Sequence, residues 1–252
     1  MHLKVLYTLL FFQFAYKYAL ATANEPKQIA EILQFNPSKD DEFNFPFLLY
    51  APWDLMNSKK TTILVKPINT GSSDEQGFHL KEARKDLSGF VIKLYDLHAP
   101  ILMPVFPRSR KDWKYYTHAL NRKTLALKDG PLKRIDLQLI AMIEKAKSFL
   151  RQRGVNAEDK VAMLGFSASG MFTSRFTAIH PGMIAAAAFG SPGGWPIAPL
   201  KDWEGETLDY PVGIADLKGL TGKNFDSEAY SKVPIFQFLG QKDLNDSVIF
   251  RD

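Results

Sequence analysis

The sequence predicts an α/β fold built on a mostly parallel sheet, and three observations lead to that prediction. Short apolar runs alternate along the chain with longer segments of helical periodicity. The runs are continuously apolar, which is typical of parallel strands covered by helices on both faces. Glycine, proline or small polar residues follow most of them, as expected where a strand ends in a turn. Strands that alternate with helices form a parallel sheet with right-handed crossovers.

Six strands and three helices are predicted. The strands are residues 45–51, 61–67, 100–106, 161–164, 184–189 and 233–239, and the helices are residues 78–87, 134–153 and 171–179. Strand 45–51 is predicted at an edge of the sheet, because Pro46 cannot donate a hydrogen bond to a neighbour. Helix 134–153 carries an apolar stripe and ends at Gly154 as a cap. The stripe consists of Leu137, Ile140, Ile143, Ala146 and Leu150. Residues 198–232 are predicted to be a long excursion over the sheet.

Composition places the chain among globular proteins with one α/β domain. It has 252 residues, 46% of them hydrophobic and 23% charged, and neither a repeat nor a low-complexity linker divides it. The absence of cysteine excludes disulfides and thiolate metal sites. Five scattered histidines show no metal-ligand spacing. The sequence therefore predicts no metal and no cofactor.

The net charge of +5 arises mainly between residues 108 and 134. The cationic residues there are Arg108, Arg110, Lys111, Lys114, Arg122, Lys123, Lys128, Lys133 and Arg134, against only Asp112 and Asp129. Such a stretch can attract anionic surfaces or substrates. No aromatic-rich RNA motif or recognition helix accompanies it. The stretch is therefore interpreted as a solvated loop and helix start, and no nucleic-acid partner is predicted.

The N-terminal residues have the pattern of a signal peptide. A short positive start at His2 and Lys4 is followed by an apolar run of residues 5–16, and small-x-small cleavage sites end at Ala21 and Ala23. The apolar run is shorter than the roughly 20 residues that span a bilayer. Residues 1–23 are thus predicted to be removed and residues 24–252 to form the mature domain. The expected location is secreted or periplasmic, without stable membrane anchoring after cleavage.

The chain is organised around residues 160–170, which read KVAMLGFSASG. The apolar residues after the lysine are expected to form a central strand. Gly165 before Ser167, and Ser169 with Gly170 after it, are small enough for a sharp turn from strand to helix. Such a turn presents the Ser167 hydroxyl at the carboxyl end of the strand. The first backbone N–H groups of the helix then point at any group that lies beside the Ser167 hydroxyl.

This stretch resembles the nucleophile elbow of the α/β-hydrolases, Gly-x-Ser-x-Gly, with Ser169 in place of the second glycine. The resemblance covers nearly the whole predicted mature chain and is strongest to secreted enzymes of the esterase or depolymerase type. It implies an α/β-hydrolase sheet with helices on both faces, and Ser167 as the nucleophile of ester cleavage. Ser169 as the nucleophile would place Met171 at the tight position, so Ser167 is favoured.

The resemblance also implies an oxyanion hole and an acid. The hole would use the N–H of Ala168 and a second N–H, from Asn69 or Thr70, in the loop after strand 61–67. The acid follows a later strand in this family, and Asp243 matches that place, with Asp246 as the fallback.

The general base is missing from this pattern. The family's histidine follows the acid, but all five histidines of this chain precede Asp243. His180 lies at the far end of the elbow helix, about 20 Å from Ser167 at 1.5 Å per residue. His118 lies on the same rim as the elbow, but a surface or loop role is favoured for it.

Two alternatives remain open at this point. The chain is either a serine esterase whose last strand and histidine-bearing helix are missing from these 252 residues, or a non-catalytic α/β-hydrolase-like protein that binds without turnover. In the first case, strand 233–239 should lack cover on one side. The substrate would be a small-molecule or polymeric ester, and the sequence does not reveal its acyl and alcohol groups, because specificity lies in loops over the sheet.

Overall fold

The computed structural model describes residues 31–52, 55, 60–93, 97–192 and 197–242. These residues belong to one compact unit, Glu31–Asp252. The predicted signal peptide and both acid candidates, Asp243 and Asp246, lie outside the described residues. Within the described part of the chain, no helix is long and apolar enough to cross a bilayer.

The described strands form a seven-stranded sheet in the order β1-β2-β4-β3-β5-β6-β9. They are β1 (Ile32–Phe35), β2 (Phe47–Tyr50), β3 (Leu64–Val65), β4 (Ile101–Pro104), β5 (Val161–Phe166), β6 (Ile184–Gly190) and β9 (Ile235–Phe238), while β7 (Asp202–Trp203) and β8 (Glu206–Thr207) form a separate hairpin. Neighbouring strands are parallel along the series β4, β3, β5, β6 and β9. The pairs β1–β2 and β2–β4 are antiparallel. The predicted mostly parallel sheet is confirmed.

Helices connect these strands and cover the sheet. They are α1 (Gln76–Lys93), α2 (Arg122–Leu125), α3 (Ile135–Gln152), α4 (Ala168–Ile179), α5 (Leu217–Thr221) and α6 (Ser227–Ser231). The prediction for α1 was too short at both ends, whereas α3 matches its predicted range closely. Gly154 follows α3 with φ +77°, as the predicted cap requires. The predicted excursion, residues 198–232, contains the β7–β8 hairpin, α5 and α6.

The main hydrophobic core lies on the face of the sheet covered by α3 and α4. Phe47 and Leu49 of β2 belong to this core, and Leu48 between them is buried outside it. Alternate residues of a strand point to opposite faces, so Leu48 lies on the other face. The buried Ala83 and Leu87 of α1 also lie outside the main core, and α1 contacts β2. Helices therefore cover both faces.

The buried stripe of α3 differs in part from the predicted one. Ile143, Ala146 and Leu150 are in the core as predicted, together with Leu139 and Met142. The side chain of Leu137 is 41% exposed and Ile140 is only partly buried. The predicted stripe advances in steps of three residues from Leu137 to Ala146, and each step falls short of a helical turn of 3.6 residues, so its first residues turn away from the core.

The prediction that residues 45–51 form an edge strand is wrong. Strand β2 pairs with β1 on one side and with β4 on the other. Pro46 does not prevent this, because it precedes the ladder, and its carbonyl oxygen accepts a hydrogen bond from Val105 N at 3.0 Å. Strand β1 was not predicted, and the ring of its Phe35 stacks on Phe47 with centroids 4.7 Å apart.

Strand β9 stands at the end of the described sheet, next to β6. All four of its residues are exposed. Phe236 in the strand is 66% exposed, and Leu239, the residue after the strand, is 63% exposed. Uncovered apolar side chains at this strand are what the sequence predicts. The prediction that a further strand belongs beside it stays a prediction.

Candidate active site

Ser167 occupies a sharp turn between β5 and α4. Its backbone has φ 57° and ψ −126°. Residues other than glycine adopt this combination only when the surrounding structure imposes it. Its N–H donates to the carbonyl oxygen of Gly190 at 3.0 Å, and its carbonyl accepts from Met171 N at 3.0 Å. The turn is therefore held by β6 on one side and by the first turn of α4 on the other. The Ser167 side chain is half-buried.

Small residues make this turn possible. A Cβ on Gly165 would stand 2.1 Å from the carbonyl oxygen of Ser169, and a Cβ on Gly170 would stand 2.9 Å from that of Gly190. The Ser169 hydroxyl accepts from Phe166 N at 3.0 Å and donates to Phe166 O at 2.9 Å. Ser169 is thus buried and committed to the backbone of the turn, while Ser167 is half-buried.

The loop after β3 lies against this turn, as an oxyanion site requires. Asn69 Nδ2 donates to Phe166 O at 3.2 Å, which places the loop beside Ser167. The N–H of Ala168, as the first residue of α4, has no acceptor within the helix. The Thr70 N–H points towards His118 Nδ1 at 3.4 Å. The loop that carries Asn69 and Thr70 thus lies beside the turn that Ala168 follows, and the Thr70 N–H is directed at His118.

Two buried histidines pack behind Thr70. His118 Nε2 donates to the carbonyl oxygen of Phe106 at 2.9 Å, which leaves Nδ1 free to accept from Thr70 N–H. His79 Nδ1 lies 3.1 Å from Thr70 Oγ1, and the two imidazole rings meet edge to face with centroids 5.9 Å apart. Burial, together with the nearby charges of His79 and Arg108, lowers the pKa of His118 from 6.5 to about 3. His118 is therefore a neutral buried residue that positions Thr70, and the surface or loop location expected for it is wrong.

His180 is part of a separate buried network at the opposite end of α4. Its Nε2 donates to Asp136 Oδ2 at 2.9 Å, and Arg134 binds the same carboxylate through Nε at 2.9 Å and Nη2 at 2.7 Å. Burial by itself would raise the pKa of Asp136, but the hydrogen bonds from Arg134 and His180 lower it to about 2. His180 thus serves the packing of α3 against α4, in agreement with its exclusion as a base.

Within the described part of the chain, the Ser167 hydroxyl makes no hydrogen bond to a histidine or a carboxylate. His79 and His118 are buried with both ring nitrogens engaged, His180 is buried with its Nε2 on Asp136, and His98 is exposed after α1. The described residues also include no group of three side chains that could hold a metal ion. The described residues thus bring the Ser167 turn and the loop after β3 together, and they place no histidine or carboxylate on the Ser167 hydroxyl.

An open groove of about 310 Å³ borders the elbow on the side of α1. Phe90 of α1, Phe166 and Phe238 of β9 supply aromatic walls, and Asn69 lies at its rim. Lys66 forms an ion pair with Asp86 along the same wall. The groove combines apolar walls with a few polar groups, as small-molecule sites commonly do.

Sequence reasoning missed the residues behind Thr70. His79 shares a buried stripe with Ala83, Leu87 and Val91 of α1, and this four-residue spacing was the available signal that it faces inward. His118 and Arg108 belong to segments that only the tertiary fold brings to Thr70. Nothing in their local sequence indicates that contact.

The fold was compared with solved structures. A poly(aspartic acid) hydrolase from Sphingomonas sp. KT-1 is 17% identical over 86% of this chain and 73% of its own, with a TM-score of 0.56. A poly(3-hydroxybutyrate) depolymerase from Bordetella parapertussis is 17% identical over 86% of this chain and 67% of its own, with a TM-score of 0.51. No protein-family model and no curated protein sequence matches the chain. Likeness at these identities establishes the architecture, and the chain has the α/β-hydrolase fold.

Proposed function

We propose that this protein is a serine hydrolase that cleaves carboxylic esters through an acyl-enzyme on Ser167. The observation that carries the proposal is the backbone of Ser167, which holds φ 57° at the junction of β5 and α4. Backbone in such a region costs of order 1–3 kcal/mol and persists where the surroundings impose it, most often at functional sites. Three contacts impose it here: Ser167 to Gly190, Met171 to Ser167, and Ser169 to Phe166.

The chemistry follows from the groups around the turn. Ser167 Oγ would attack the ester carbonyl carbon, and negative charge would develop on the carbonyl oxygen. The N–H of Ala168, as the first donor of α4, would bind that oxygen. Asn69 supplies the second N–H in this proposal, because the Thr70 N–H is already directed at His118. Donors fixed before the reaction stabilise such an oxyanion more than water does.

The acyl-enzyme forms when the alcohol departs with a proton, so a base must take the proton of Ser167 and return it to that alcohol, and all five histidines precede Asp243 in the sequence. We propose Asp243 as the acid, with Asp246 as the fallback, and assign no described histidine as the base. The substrate would be a small-molecule or polymeric ester. Support for a polymer comes from the two structural neighbours, which are named for the hydrolysis of poly(aspartic acid) and poly(3-hydroxybutyrate).

Export forms part of the proposal, because residues 1–23 carry the signal-peptide pattern. N-terminal sequencing of the protein recovered from the medium or periplasm of a secreting host should find a chain that begins after Ala21 or Ala23. A recovered protein that still begins at Met1 contradicts export by cleavage.

A fluorophosphonate probe tests the nucleophile directly, because it reports the reactivity of a serine without requiring turnover. The parent protein should be labelled on Ser167, and Ser167→Ala should lose the label. Ser169→Ala is the matched control: its hydroxyl is buried on the Phe166 backbone, so its loss weakens the turn but leaves the label on residue 167. Labelling of Ser167→Ala at the parent's level would reject the assignment.

A second candidate function is favoured by one observation. No described histidine or carboxylate contacts the Ser167 hydroxyl, and this is what a protein that binds esters without cleaving them would show. Release of p-nitrophenol from p-nitrophenyl esters separates the two functions. Release above the level of Ser167→Ala supports the hydrolase, and binding of the ester by calorimetry without release supports the binding protein.

A further inference from the structure

A small cationic pocket lies next to the elbow, outside the groove described above. Its volume is about 130 Å³, roughly ten times the smallest volume that holds one water molecule on the same measure. Its lining consists of Ser72, Arg108, Ser109, Arg110, Trp113 and Tyr116. The pocket holds two of the arginines from the basic stretch, for which the sequence suggested only a solvated loop.

Two residues that line the pocket contact groups beside the Ser167 turn. Tyr116 packs against the small cluster that contains Ala168, the residue after the nucleophile. Arg108 Nη1 donates to the carbonyl oxygen of Thr70 at 3.1 Å, so this side chain borders the oxyanion loop. Tyr116 and Arg108 therefore link the pocket to the surroundings of Ser167.

The guanidinium groups in the pocket are held by neutral partners. The Arg108 guanidinium carbon stands 4.4 Å above the centroid of the Tyr116 ring, and Arg110 Nε donates to Ser72 O at 2.8 Å. Neither arginine forms an ion pair with a carboxylate among the described residues. Stacking and carbonyl contacts fix the direction of a guanidinium while leaving its charge and further N–H donors for a ligand.

Asp74 lies beside the loop that carries Arg110, and its contacts are with that loop. Its Oδ1 accepts from Ser109 Oγ at 2.6 Å and from the backbone N–H groups of Arg110 and Lys111 at 3.0 and 3.2 Å. The carboxylate thus shapes the loop that carries Arg110, while the guanidinium of that residue remains directed at the pocket. Charge complementarity favours an anion there.

We propose that this pocket binds a carboxylate on the substrate, and hence that the enzyme prefers esters that carry a second, negatively charged carboxyl group. The inference rests on the proposed ester hydrolysis at Ser167 and adds to it the charge class of the substrate. Arginine forks suit carboxylates because their N–H groups match both oxygens. The volume admits a carboxylate with a short piece of the chain that carries it.

Two esters of equal length test the preference: mono-p-nitrophenyl adipate, which carries a carboxylate, and p-nitrophenyl hexanoate, which does not. The first-turnover release of p-nitrophenol is measured, so that slow deacylation does not matter. The parent should be acylated by the adipate about 10-fold faster than by the hexanoate, since hydrogen bonds to charged groups are worth about that factor or more. The ratio should shrink between 0.05 and 0.5 M NaCl, because salt screens the attraction.

Variants assign the preference to the pocket. Arg110→Gln should reduce the adipate-to-hexanoate ratio by about 10-fold, and Arg110→Glu should reverse the preference. Lys128→Gln is the matched control, because it removes one exposed charge of the same basic stretch outside the pocket, and its ratio should equal the parent's. An unchanged ratio in Arg110→Glu, or an equal loss in Lys128→Gln, overturns the proposal.

A binding experiment separates this inference from the proposed reaction. Monomethyl adipate and methyl hexanoate are titrated into the Ser167→Ala protein by calorimetry, with and without Arg110→Glu. Preferential binding of monomethyl adipate that Arg110→Glu abolishes supports the carboxylate site even if neither p-nitrophenyl ester is cleaved. Equal binding of both esters, or no binding of either, counts against the site independently of any result on catalysis.

Discussion

A methyl group on Gly165 would stand 2.1 Å from the backbone carbonyl oxygen of Ser169. That separation is far below any van der Waals contact, and the obstacle is backbone, which cannot rotate away as a side chain can. The same Cβ would also stand 2.6 Å from the hydroxyl of Thr173 in α4. The close approach of β5 to α4 at the elbow therefore depends on glycine at residue 165.

We expect Gly165→Ala to lower the free energy of unfolding by at least about 3 kcal/mol, the upper part of the range for overpacked cores. Fluorophosphonate labelling of Ser167 should fall with it, because α4 must shift to make room. Gly89→Ala is the control: nothing lies within 4 Å of its Cβ in the interior of α1, and alanine there should stabilise by about 0.5–1 kcal/mol. Urea unfolding measures both. A Gly165→Ala protein with parental stability would contradict the contact.

The buried imidazole of His118 should make stability depend on pH. Its pKa is about 3 in the folded protein and about 6.5 in the unfolded chain, so the unfolded state takes up a proton that the folded state refuses. The contribution of His118 is thus intact above pH 6.5 and is lost as the pH falls towards 3. The slope from this residue is about 1.4 kcal/mol per pH unit in that window.

Unfolding by urea at a series of pH values from 7 to 4 measures this slope. The variant His118→Gln removes the imidazole, so its stability should fall less steeply with pH than that of the parent, by about 1.4 kcal/mol per unit. His98→Asn is the control, since His98 is exposed and asparagine tolerates its φ of 43°. Parallel pH profiles for the parent and His118→Gln would show that His118 is not buried in its neutral form.

The elbow could be predicted from sequence because its determinants are consecutive. An apolar run, two glycines and two serines within residues 160–170 specify a strand, a tight turn and a helix start. The edge assignment of β2 failed because pairing depends on distant residues: the ring of Phe35 stacks on Phe47, and Pro46 lies just outside the ladder. Local proline rules carry no information about such a partner.

The part of the candidate site around Thr70 is built from residues far apart in the chain. Thr70, His79, Arg108 and His118 meet through contacts between segments that are 9 to 48 residues apart. Each residue alone resembles an ordinary loop or helix position. These residues meet because parallel strands end at the same edge of the sheet. The sequence predicts that the strands are parallel, but it does not predict which side chains come into contact at that edge.

The buried carboxylate of Asp136 should be the most stabilising charge in the described part of α3. Asp136→Asn removes the partner of both Arg134 and His180, and breaking a buried pair typically costs about 3–5 kcal/mol, because a charge is left uncompensated. Asp159→Asn is the matched control. Its side chain is 97% exposed beside Arg151, and exposed pairs contribute about 1 kcal/mol or less. Thermal unfolding of the two variants should therefore differ clearly, and equal midpoints would contradict the role of the network.

Strand β9 should govern the tendency of the protein to associate. Its apolar residues are exposed at the end of the described sheet, and strands in that position can pair with other chains. Phe236→Lys replaces the more exposed of the two β9 phenylalanines with a charged residue. Charged residues, lysine above all, discourage pairing between strands of different chains. Light scattering and sedimentation should show less self-association than in the parent, while the unfolding midpoint stays close to the parent's.

Phe238→Lys provides the contrast, because its ring has contacts within the sheet. The ring stacks on Phe166 with centroids 6.3 Å apart, and it fills the space above Gly190, where a Cβ would meet it at 2.1 Å. Lysine there should destabilise the protein by about 1–3 kcal/mol, less than the loss of a fully buried aromatic side chain, because Phe238 is 41% exposed. It should also loosen the backbone beside Ser167, because Gly190 O accepts the Ser167 N–H at 3.0 Å. Equal effects of Phe236→Lys and Phe238→Lys on association and on stability would contradict the conclusion that Phe238 supports the Ser167 turn while Phe236 does not.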